Sequence, residues 1–416
     1  MNIIIHPCKL SGSIKAIPSK SYAHRMIICA ALSDKPSKIH IEMVSKDIEA
    51  TLNCVKGLGA KITRESNIYT VFPIKFDKND NPPFVDCGES GSTLRFITPI
   101  LSAIGGGKIK THGRLPQRPM NHLTECLEKN GVSVFKKDDI YEISGKLKGN
   151  YFEIAGNVSS QYISGLLLML PLIGGGKIEL TTSLSSASYV DITIDVMKKF
   201  GVDVDFENNI FTVKNTKYRA NDVFVPGDWS NGSFWLTSGI NVENLDINSL
   251  QGDKSILNVI SNMGCDVVYN EENIRIEGNI SKDSIIDVDN IPDAVPTLSV
   301  FAAKSGCKTT FINALRLKDK ESDRISSCLN MLKNLGVDAY ERGDGFELTG
   351  IGDNLFKQCV IDCAGDHRIA MACATACDRL SGDIKLIGAE CVEKSYPGFW
   401  DDFVSLGGKT DVEYNR

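Results

Sequence analysis

The sequence predicts an α/β protein of two domains, each built from three copies of one repeating α/β unit. Three observations lead to this fold class. The chain has 416 residues, which is too long for a single hydrophobic core. A helix end, a glycine and a short strand recur together six times along it. A second series of helices, apolar nearly all round, recurs with an offset, so each copy contains two helices.

The first series is marked by six glycines that follow an apolar helix end and precede a strand-like segment, as in "KFGVDV" and "NLGVDA". They are Gly59, Gly131, Gly201, Gly264, Gly336 and Gly407. Their successive separations of 72, 70, 63, 72 and 71 residues are too regular for chance. A glycine directly after a helix adopts a left-handed conformation that residues with side chains disfavour. The pattern therefore predicts six helix C-termini, each followed by a strand.

The second series consists of segments such as "HRMIICAAL", "SQYISGLLLMLPLIGGG" and "DAVPTLSVFAAKSG". Because they are apolar on nearly every side, we expect them to form buried helices. The helices of the first series are one-sided instead. In the fifth copy, Ile325, Cys328, Leu329, Leu332 and Leu335 recur at three- and four-residue steps, which leaves the opposite face solvated. Each copy is therefore predicted as helix, strand, amphipathic helix, strand, strand.

Three copies fill residues 18–226 and three fill residues 227–416. The two opening strands, "NIIIHP" and "SGSIKAI", precede the first copy without belonging to it. Since chain ends often lie together, we expect them to complete the second domain. The prediction is a first domain at 18–226 and a discontinuous second domain at 1–17 and 227–416, with a turn at Pro226-Gly227 between them.

Composition and charge exclude several function classes. The net charge of −6 argues against a general nucleic-acid partner, which usually requires a broad basic face. The longest apolar stretch, residues 166–173, is too short to cross a membrane. The 13 cysteines include no Cys-x-x-Cys pair, and the chain start lacks the pattern of a signal peptide. We therefore expect reduced thiols in a cytoplasmic protein, with no metal site.

Charged and polar residues concentrate at the predicted helix starts. On the apolar series they are Lys20, Ser21, Arg25, Gly91, Arg95, Ser159, Ser160, Gln161, Asp293, Asp366, His367 and Arg368; on the amphipathic series they are Arg114, Arg118, Ser186, Tyr189, Lys320, Glu321, Arg324 and Lys394. Helix N-termini carry unpaired N–H groups and partial positive charge, so they attract anions. Cations have the wrong sign for these positions. Their repetition there indicates a ligand with several negative charges.

Each of these residues also has a structural interpretation when it is taken alone. Ser, Asp and Gly are common helix caps. The stretch "KDKESDR" is also typical of a solvated helix face, and "GESGST" is a weak phosphate-binding signal by itself. Only the combination of cations and caps over most of the copies favours a binding site for phosphates and carboxylates.

The motifs together resemble a known family. "PSKSYAHR", "GESGSTLR", "GRLPQRPM", "SSQYISGLL", "YVDIT", "IPDA", "KDKESDR", "GDHRIAMA" and "EKSYPGF" occur in the order and spacing of the 5-enolpyruvylshikimate-3-phosphate synthases, over essentially the whole chain. The resemblance implies a two-domain inside-out α/β barrel of six repeated units. It also implies helix N-termini that face an interdomain cleft. Because the expected site residues come from both halves of the chain, we predict that the domains close on binding the first substrate.

The reaction implied by the resemblance joins the enolpyruvyl group of phosphoenolpyruvate to the 5-hydroxyl of shikimate 3-phosphate and releases phosphate. This reaction belongs to the shikimate pathway, which leads to chorismate and the aromatic amino acids. It needs no metal and no organic cofactor. The resemblance further implies a cytoplasmic monomer whose partners are these two small molecules, and a target of glyphosate.

The resemblance also assigns roles to residues. Shikimate 3-phosphate would be bound by Lys20, Ser21, Arg25, Ser159, Ser160, Gln161, Ser186, Asp293 and Lys320. Phosphoenolpyruvate would be bound by Lys20, Gly91, Arg114, Gln161, Arg324, Arg368 and Lys394. The catalytic residues would be Asp293, Glu321 and Lys20. Asp293 is expected to accept the proton of the hydroxyl group, and Glu321 with Lys20 to protonate the methylene carbon.

Two positions depart from the family pattern. Glu89 stands where many members have asparagine, next to the segment that contains Gly91. A further carboxylate raises the cost of binding an anion unless a cation offsets it. Arg316 stands where some members have an asparagine that contacts the substrate ring.

Two alternative functions remain open at this point. The related enolpyruvyl transferases that act on UDP-N-acetylglucosamine usually carry a cysteine in the loop equivalent to "GRLPQRPM" and a Lys-Asn pair near the N-terminus. Here the loop has no cysteine, and Lys20 is followed by Ser21. The second alternative is a non-catalytic protein that binds a phosphorylated metabolite. The presence of Asp293, Glu321 and Lys20 argues against it.

Overall fold

Six four-stranded sheets and twelve α-helices organise residues 1–76, 82–269 and 273–413, the parts of the chain that the structure, a computed structural model, describes. The helices, in chain order, are α1 (Lys20–Ala31), α2 (Lys46–Gly57), α3 (Gly91–Ile104), α4 (Asn121–Lys129), α5 (Ser160–Met169), α6 (Ala187–Lys199), α7 (Trp229–Leu236), α8 (Ile256–Asn262), α9 (Val295–Ala303), α10 (Arg324–Asn334), α11 (His367–Ala374) and α12 (Phe399–Ser405).

The strands of the first half of the chain are β1 (Asn2–Ile5), β2 (Ser13–Lys15), β3 (Ser37–His40), β4 (Lys61–Glu65), β5 (Ile68–Phe72), β6 (Phe84–Asp86), β7 (Gly106–Lys110), β8 (Val132–Lys137), β9 (Ile140–Gly145), β10 (Tyr151–Ile154), β11 (Gly176–Leu180) and β12 (Val204–Glu207). Those of the second half are β13 (Ile210–Val213), β14 (Asp222–Phe224), β15 (Asn241–Glu243), β16 (Asp266–Tyr269), β17 (Asn273–Glu277), β18 (Ser284–Asp287), β19 (Lys308–Ile312), β20 (Asp338–Arg342), β21 (Gly345–Thr349), β22 (Cys359–Asp362), β23 (Ile384–Ile387) and β24 (Thr410–Glu413).

Every sheet is built in the same way. Two parallel strands lie side by side, and two further strands add in antiparallel orientation, as in the order β6-β7-β9-β8. The other orders are β10-β11-β13-β12, β18-β19-β21-β20, β14-β3-β5-β4, β2-β15-β17-β16 and β22-β23-β1-β24. This repetition confirms the predicted fold class of six α/β units.

The sequence pattern missed one strand in most of the copies. The strand that precedes each apolar helix has only three or four residues in β6, β10, β14, β18 and β22. Such a strand is too short to show a periodic pattern. It forms nevertheless, because a parallel neighbour supplies its backbone hydrogen bonds, as β7 does for β6.

The chain divides into two compact units, which we call unit A (Pro18–Pro226) and unit B (Met1–Ile17 with Gly227–Arg416). The strands at the two junctions each pair within the unit that contains them. β2 precedes α1 but pairs with β15 of unit B, whereas β14 precedes α7 but pairs with β3 of unit A. β1 lies between β23 and β24. Both opening strands of the chain therefore belong to sheets of unit B.

The helices follow the predicted burial patterns. All eight residues of α7 and all eight of α11 are buried. The amphipathic helix α10 instead turns Ile325, Cys328 and Leu329 inward, as predicted. The six repeat glycines all have positive φ, from 80° at Gly201 to 107° at Gly59, which confirms the predicted helix ends.

The 13 cysteines are thiols, and nine of them are buried. Within the described ranges, every helix is too short or too polar to cross a bilayer. Over the same ranges, no group of three or more His, Cys, Asp or Glu side chains is arranged to hold a metal ion.

Candidate active site

The guanidinium group of Arg324 bridges three carboxylates in unit B. Arg324 is the first residue of α10, and its side chain is fully buried. NH1 donates to Asp293 Oδ1 at 2.8 Å, NH2 to Glu321 Oε2 at 2.7 Å and Nε to Asp366 Oδ2 at 3.0 Å. Burial lowers the pKa of Arg324, but the three carboxylates raise it well above its usual value. The two predicted acid–base residues, Asp293 and Glu321, are thus held by one cation.

Two further cations lie beside the Asp293 carboxylate. Arg368 NH2 donates to Asp293 Oδ2 at 3.0 Å, and Lys320 Nζ lies 3.6 Å from Oδ1. The Asp293 side chain keeps 21% of its surface exposed. Burial raises its pKa, but Arg368, Lys320 and Arg324 together hold the pKa well below its usual value. Asp293 is therefore ionised, and one edge of it is accessible.

Helix starts position this cluster, as the sequence predicted. Asp366 caps α11, since its Oδ1 accepts a hydrogen bond from the Arg368 backbone N–H at 3.0 Å. Its other oxygen also accepts a hydrogen bond from Ser322 Oγ at 3.1 Å. Lys394 ends the 3-10 helix Ala389–Lys394, five residues before α12, and is half-buried. The cap thus fixes Arg368 at the second position of its helix.

In unit A, Lys20 and Asp47 form an ion pair. Lys20 is the first residue of α1 and Asp47 lies in the first turn of α2. Lys20 Nζ is 2.7 Å from Asp47 Oδ2. Behind Lys20, the buried His24 places Nδ1 2.6 Å from Thr51 Oγ1. Burial lowers the pKa of His24 to about 3, so the imidazole stays neutral and adds no charge beside Lys20.

Arg25 is a buried cation with neutral partners. Its guanidinium donates to the carbonyl oxygens of Ser21 and Tyr189 and to the hydroxyls of Thr193 and Ser164, at 2.6 to 3.4 Å. These bonds use four of the five N–H donors of a guanidinium. Burial lowers the pKa of Arg25 to about 10, which still leaves it charged at neutral pH. An anion would compensate this charge better than the present acceptors do.

Gly91, the first residue of α3, lies against two arginines. A Cβ atom at this position would be 2.6 Å from Arg95 NH1 and 2.8 Å from Arg118 NH1, so no larger residue fits without a shift. Arg95 NH1 also donates to Gln161 Oε1 at 2.8 Å. Gln161 Nε2 in turn donates to Ser92 Oγ at 3.0 Å. The starts of α3 and α5 and the segment before α4 therefore meet around Gly91.

The loop "GRLPQRPM" presents its two arginines differently. Arg114 is exposed, whereas Arg118 is half-buried beside Gly91. Arg118 precedes Pro119 and has extended backbone angles, φ −73° and ψ 142°. The role assignments of the sequence analysis omitted Arg118, although the proline that follows it predicts its extended backbone. Glu89 is exposed and packs its carboxyl group against Gly113, where a Cβ would lie 2.5 Å from Glu89 Cδ.

The serines predicted to bind phosphate lie at two helix starts of unit A. Ser159 caps α5 and its Oγ accepts from the Gln161 backbone N–H at 3.3 Å, while Ser160 is the first residue of that helix. Ser186 occupies the N-cap position of α6 with φ 52°, without a side-chain capping hydrogen bond, and is nearly inaccessible. A left-handed residue other than glycine is uncommon and tends to occur at functional sites.

Arg316 and Asp47 each form an ion pair. Arg316 donates through NH2 to the backbone oxygen of Asp289 at 2.9 Å and also pairs with the Asp289 carboxylate. This pair links the turn before Lys320 to the segment before Asp293. The sequence analysis missed Asp47, because an acidic residue in a first helical turn is ordinary.

Comparison with known proteins identifies the family. Residues 5–403 match the family model described as EPSP synthase (3-phosphoshikimate 1-carboxyvinyltransferase). The chain belongs to the EPSP synthase family. This match favours the shikimate-phosphate transferases over the alternative enolpyruvyl transferases that act on sugar nucleotides.

Individual relatives agree with the family match. The 3-phosphoshikimate 1-carboxyvinyltransferases of Clostridium kluyveri and of Clostridium perfringens strain 13 are each 40% identical to this chain, over 98% of both sequences. Among solved structures, an EPSP synthase from Acinetobacter baumannii has a TM-score of 0.81 at 24% identity and covers 99% of this chain and 100% of its own. The enolpyruvyl transferase NikO from Streptomyces tendae has a TM-score of 0.77 at 16% identity, with 99% and 98% covered. These two structures confirm the predicted fold.

Proposed function

We propose that this chain transfers the enolpyruvyl group of phosphoenolpyruvate to the 5-hydroxyl of shikimate 3-phosphate and releases phosphate. The observation that carries the proposal, beside the family match, is the Asp293–Arg324–Glu321 arrangement in unit B. Asp293 and Glu321 share one guanidinium, and Lys320 and Arg368 lie next to them. The arrangement supplies acid–base groups in a positively charged environment. The reaction needs both, since its two substrates are polyanions.

In the addition step, the 5-hydroxyl oxygen bonds to C2 of phosphoenolpyruvate. Asp293 accepts the hydroxyl proton, and Glu321, with Lys20, delivers a proton to C3. In the elimination step, C3 returns a proton, the carbon–carbon double bond forms again, and phosphate leaves with the electron pair of its bond to C2. Arginine and lysine side chains stabilise the leaving phosphate.

The cations around Asp293 suggest how its basicity is controlled. Arg368, Lys320 and Arg324 keep the pKa of Asp293 well below its usual value, so Asp293 alone is a weak base. A substrate anion that pairs with Arg368 or Lys320 weakens their attraction to Asp293. Its pKa then rises toward the range of an effective general base. In this proposal, proton abstraction depends on the bound substrate.

For phosphoenolpyruvate we propose contacts from residues that are positively charged, that can donate hydrogen bonds or whose backbone can approach the ligand closely. They are Lys20, Gly91, Gln161, Arg118, Arg368 and Lys394. Arg118 replaces Arg114 of the sequence analysis, because Arg118 is the arginine beside Gly91. We propose that Arg324 mainly holds Asp293 and Glu321 in place, since three carboxylates occupy its guanidinium.

For shikimate 3-phosphate we propose contacts from residues of both units. They are Lys20, Ser21, Arg25, Ser159, Ser160, Gln161 and Ser186 in unit A, and Asp293 and Lys320 in unit B. The buried positive charge of Arg25 and the serines at the starts of α5 and α6 support this assignment. We also propose that units A and B are the two domains of the protein.

The deciding experiment measures phosphate release from phosphoenolpyruvate with two acceptors offered separately. Shikimate 3-phosphate should support turnover and UDP-N-acetylglucosamine should not; the reverse result would overturn the proposed function. Asp293→Asn should then lower kcat at least ~1,000-fold while shikimate 3-phosphate still binds in calorimetry. The control Asp266→Asn changes an exposed residue of β16 and should behave like the wild type. Normal turnover in Asp293→Asn would remove Asp293 from the mechanism.

A further inference from the structure

Tyr162 is a buried residue of α5 whose hydroxyl group contacts the segment before α4. Only 1% of its surface is exposed. Its Oη donates a hydrogen bond to the Pro119 carbonyl oxygen at 2.6 Å. Pro119 directly follows Arg118, the arginine that lies beside Gly91. The Tyr162 hydroxyl group therefore holds the main chain next to Arg118.

The main chain around Arg118 is held on both sides. Before it, the Arg118 backbone N–H donates to the Leu115 carbonyl oxygen at 3.1 Å. After it, the Pro119 carbonyl oxygen accepts from Tyr162 and also from Arg95 NH2, at 3.2 Å. The bond from the tyrosine is the shorter one, and a tyrosine side chain has only two torsion angles. Tyr162 is therefore the more rigid of the two supports on this side.

Tyr162 itself is fixed by the contact between α5 and α3. A Cβ atom at Gly165, one turn later in α5, would be 2.2 Å from the Arg95 carbonyl oxygen, so the two helices touch through their backbones. The Arg95 guanidinium also lies over the Tyr162 ring, with Cζ 5.7 Å from the ring centroid. Close-packed interiors transmit displacements instead of absorbing them. A fixed tyrosine thus gives the Arg118 segment a defined position relative to α3 and α5.

We propose that Tyr162 is a positioning residue for phosphoenolpyruvate binding and that it acts through Arg118. Its hydroxyl group fixes the main chain of Arg118, so that the guanidinium group stays beside Gly91. The inference rests on the proposed function, in which Arg118 binds phosphoenolpyruvate, and no step of the reaction passes through Tyr162. A guanidinium group pairs with phosphate or carboxylate in a specific geometry, which a displaced main chain disturbs.

The test is Tyr162→Phe, which removes the hydroxyl group and keeps the buried ring. The KM for phosphoenolpyruvate should rise about fivefold, as expected for one lost hydrogen bond, while kcat and the KM for shikimate 3-phosphate change less than about twofold. The matched control is Tyr218→Phe. Tyr218 is also 1% exposed, and its Oη donates to the Leu168 carbonyl oxygen at 3.1 Å. The control loses the same kind of bond in unit A and should keep the wild-type KM.

A double variant tests whether the effect passes through Arg118. Arg118→Ala has no guanidinium group to position, so the addition of Tyr162→Phe should leave its kcat/KM for phosphoenolpyruvate unchanged. A merely structural role of Tyr162 would lower kcat/KM by the same factor in both backgrounds. That outcome, an unchanged KM in Tyr162→Phe, or an equal rise in Tyr218→Phe overturns the inference. Wild-type turnover with shikimate 3-phosphate is measured first, and its absence would overturn the proposed function instead.

Discussion

Lys20 Nζ lies 2.7 Å from Asp47 Oδ2, and this ion pair joins the first residue of α1 to the first turn of α2. Only 18% of the Lys20 side chain and 7% of the Asp47 side chain are exposed. The carboxylate thereby fixes the direction of an ammonium group that would otherwise be free to rotate on a long stem. Asp47 thus orients the lysine to which we assign a role in both binding and proton transfer.

We expect Asp47→Asn to reduce kcat/KM for phosphoenolpyruvate about tenfold, because Lys20 remains present but the carboxylate that orients it is lost. Lys20→Ala should reduce it further, by ~100-fold or more. Phosphate release at saturating shikimate 3-phosphate measures both values. The matched control is Asp205→Asn, which changes an exposed aspartate in the same unit. Equal rates for Asp47→Asn and Asp205→Asn would show that the ion pair has no functional role.

The two arginines of the "GRLPQRPM" loop give a second prediction. Arg118→Ala should lower kcat/KM for phosphoenolpyruvate ~100-fold, since a guanidinium–phosphate contact is charge-assisted and each tenfold change equals about 1.4 kcal/mol. Arg114→Ala, in the same loop, should change it less than about threefold because Arg114 is exposed. Steady-state kinetics with varied phosphoenolpyruvate separates the two. A larger loss in Arg114→Ala would restore the assignment made from the sequence alone.

Arg324 provides a prediction about stability. Replacing it by methionine leaves three carboxylates without their shared cation, in a place where its own side chain is wholly inaccessible. The free energy of unfolding should fall by about 3–5 kcal/mol, as for other broken buried pairs. Arg275→Met removes an exposed pair with Glu277 and should cost less than about 1 kcal/mol. Urea unfolding measures both; similar losses would contradict the role given to Arg324.

The raised pKa of Asp253, a buried carboxyl group, predicts that the free energy of unfolding depends on pH. Its pKa is about 7 in the folded chain and near its ordinary value of 3.8 when unfolded. A raised pKa in the folded state stabilises the fold fully below the unfolded pKa. This stabilisation is lost as the pH rises to about 7. Asp253→Asn lacks this loss, so its stability relative to the wild type should increase between pH 4 and pH 8, by up to roughly 4 kcal/mol. Urea unfolding across this range checks the slope, and a constant difference would show that Asp253 does not titrate there.

Much of the fold could be predicted because its signals are local. A glycine after a helix end and the spacing of apolar residues in Ile325–Leu335 report the conformation of the segment that contains them. The three-residue strand β6 gave no such signal, because a neighbouring strand stabilises it. The pairings of β2 with β15 and of β14 with β3 also depend on partners that are distant in the chain.

The candidate site was likewise only partly predictable from the sequence. The anionic ligands that we propose for it were predicted from cations at helix starts, and Lys20, Arg324 and Arg368 all occupy the first turns of their helices. Our proposal that Arg118 takes the role predicted for Arg114 did not follow from the sequence, since both stand in one loop. Only the position of Gly91 in space distinguishes them.

The six repeated units and the cations at most of their helix starts are predictable from the sequence alone, because both are properties of short stretches of chain. Which charges neutralise one another is visible only in the folded chain, where Arg324 pairs with three carboxylates and Lys20 pairs with Asp47. These outcomes depend on distances of a few ångströms between residues far apart in the chain. Burial then sets the strength of each interaction, and no residue type or spacing records it.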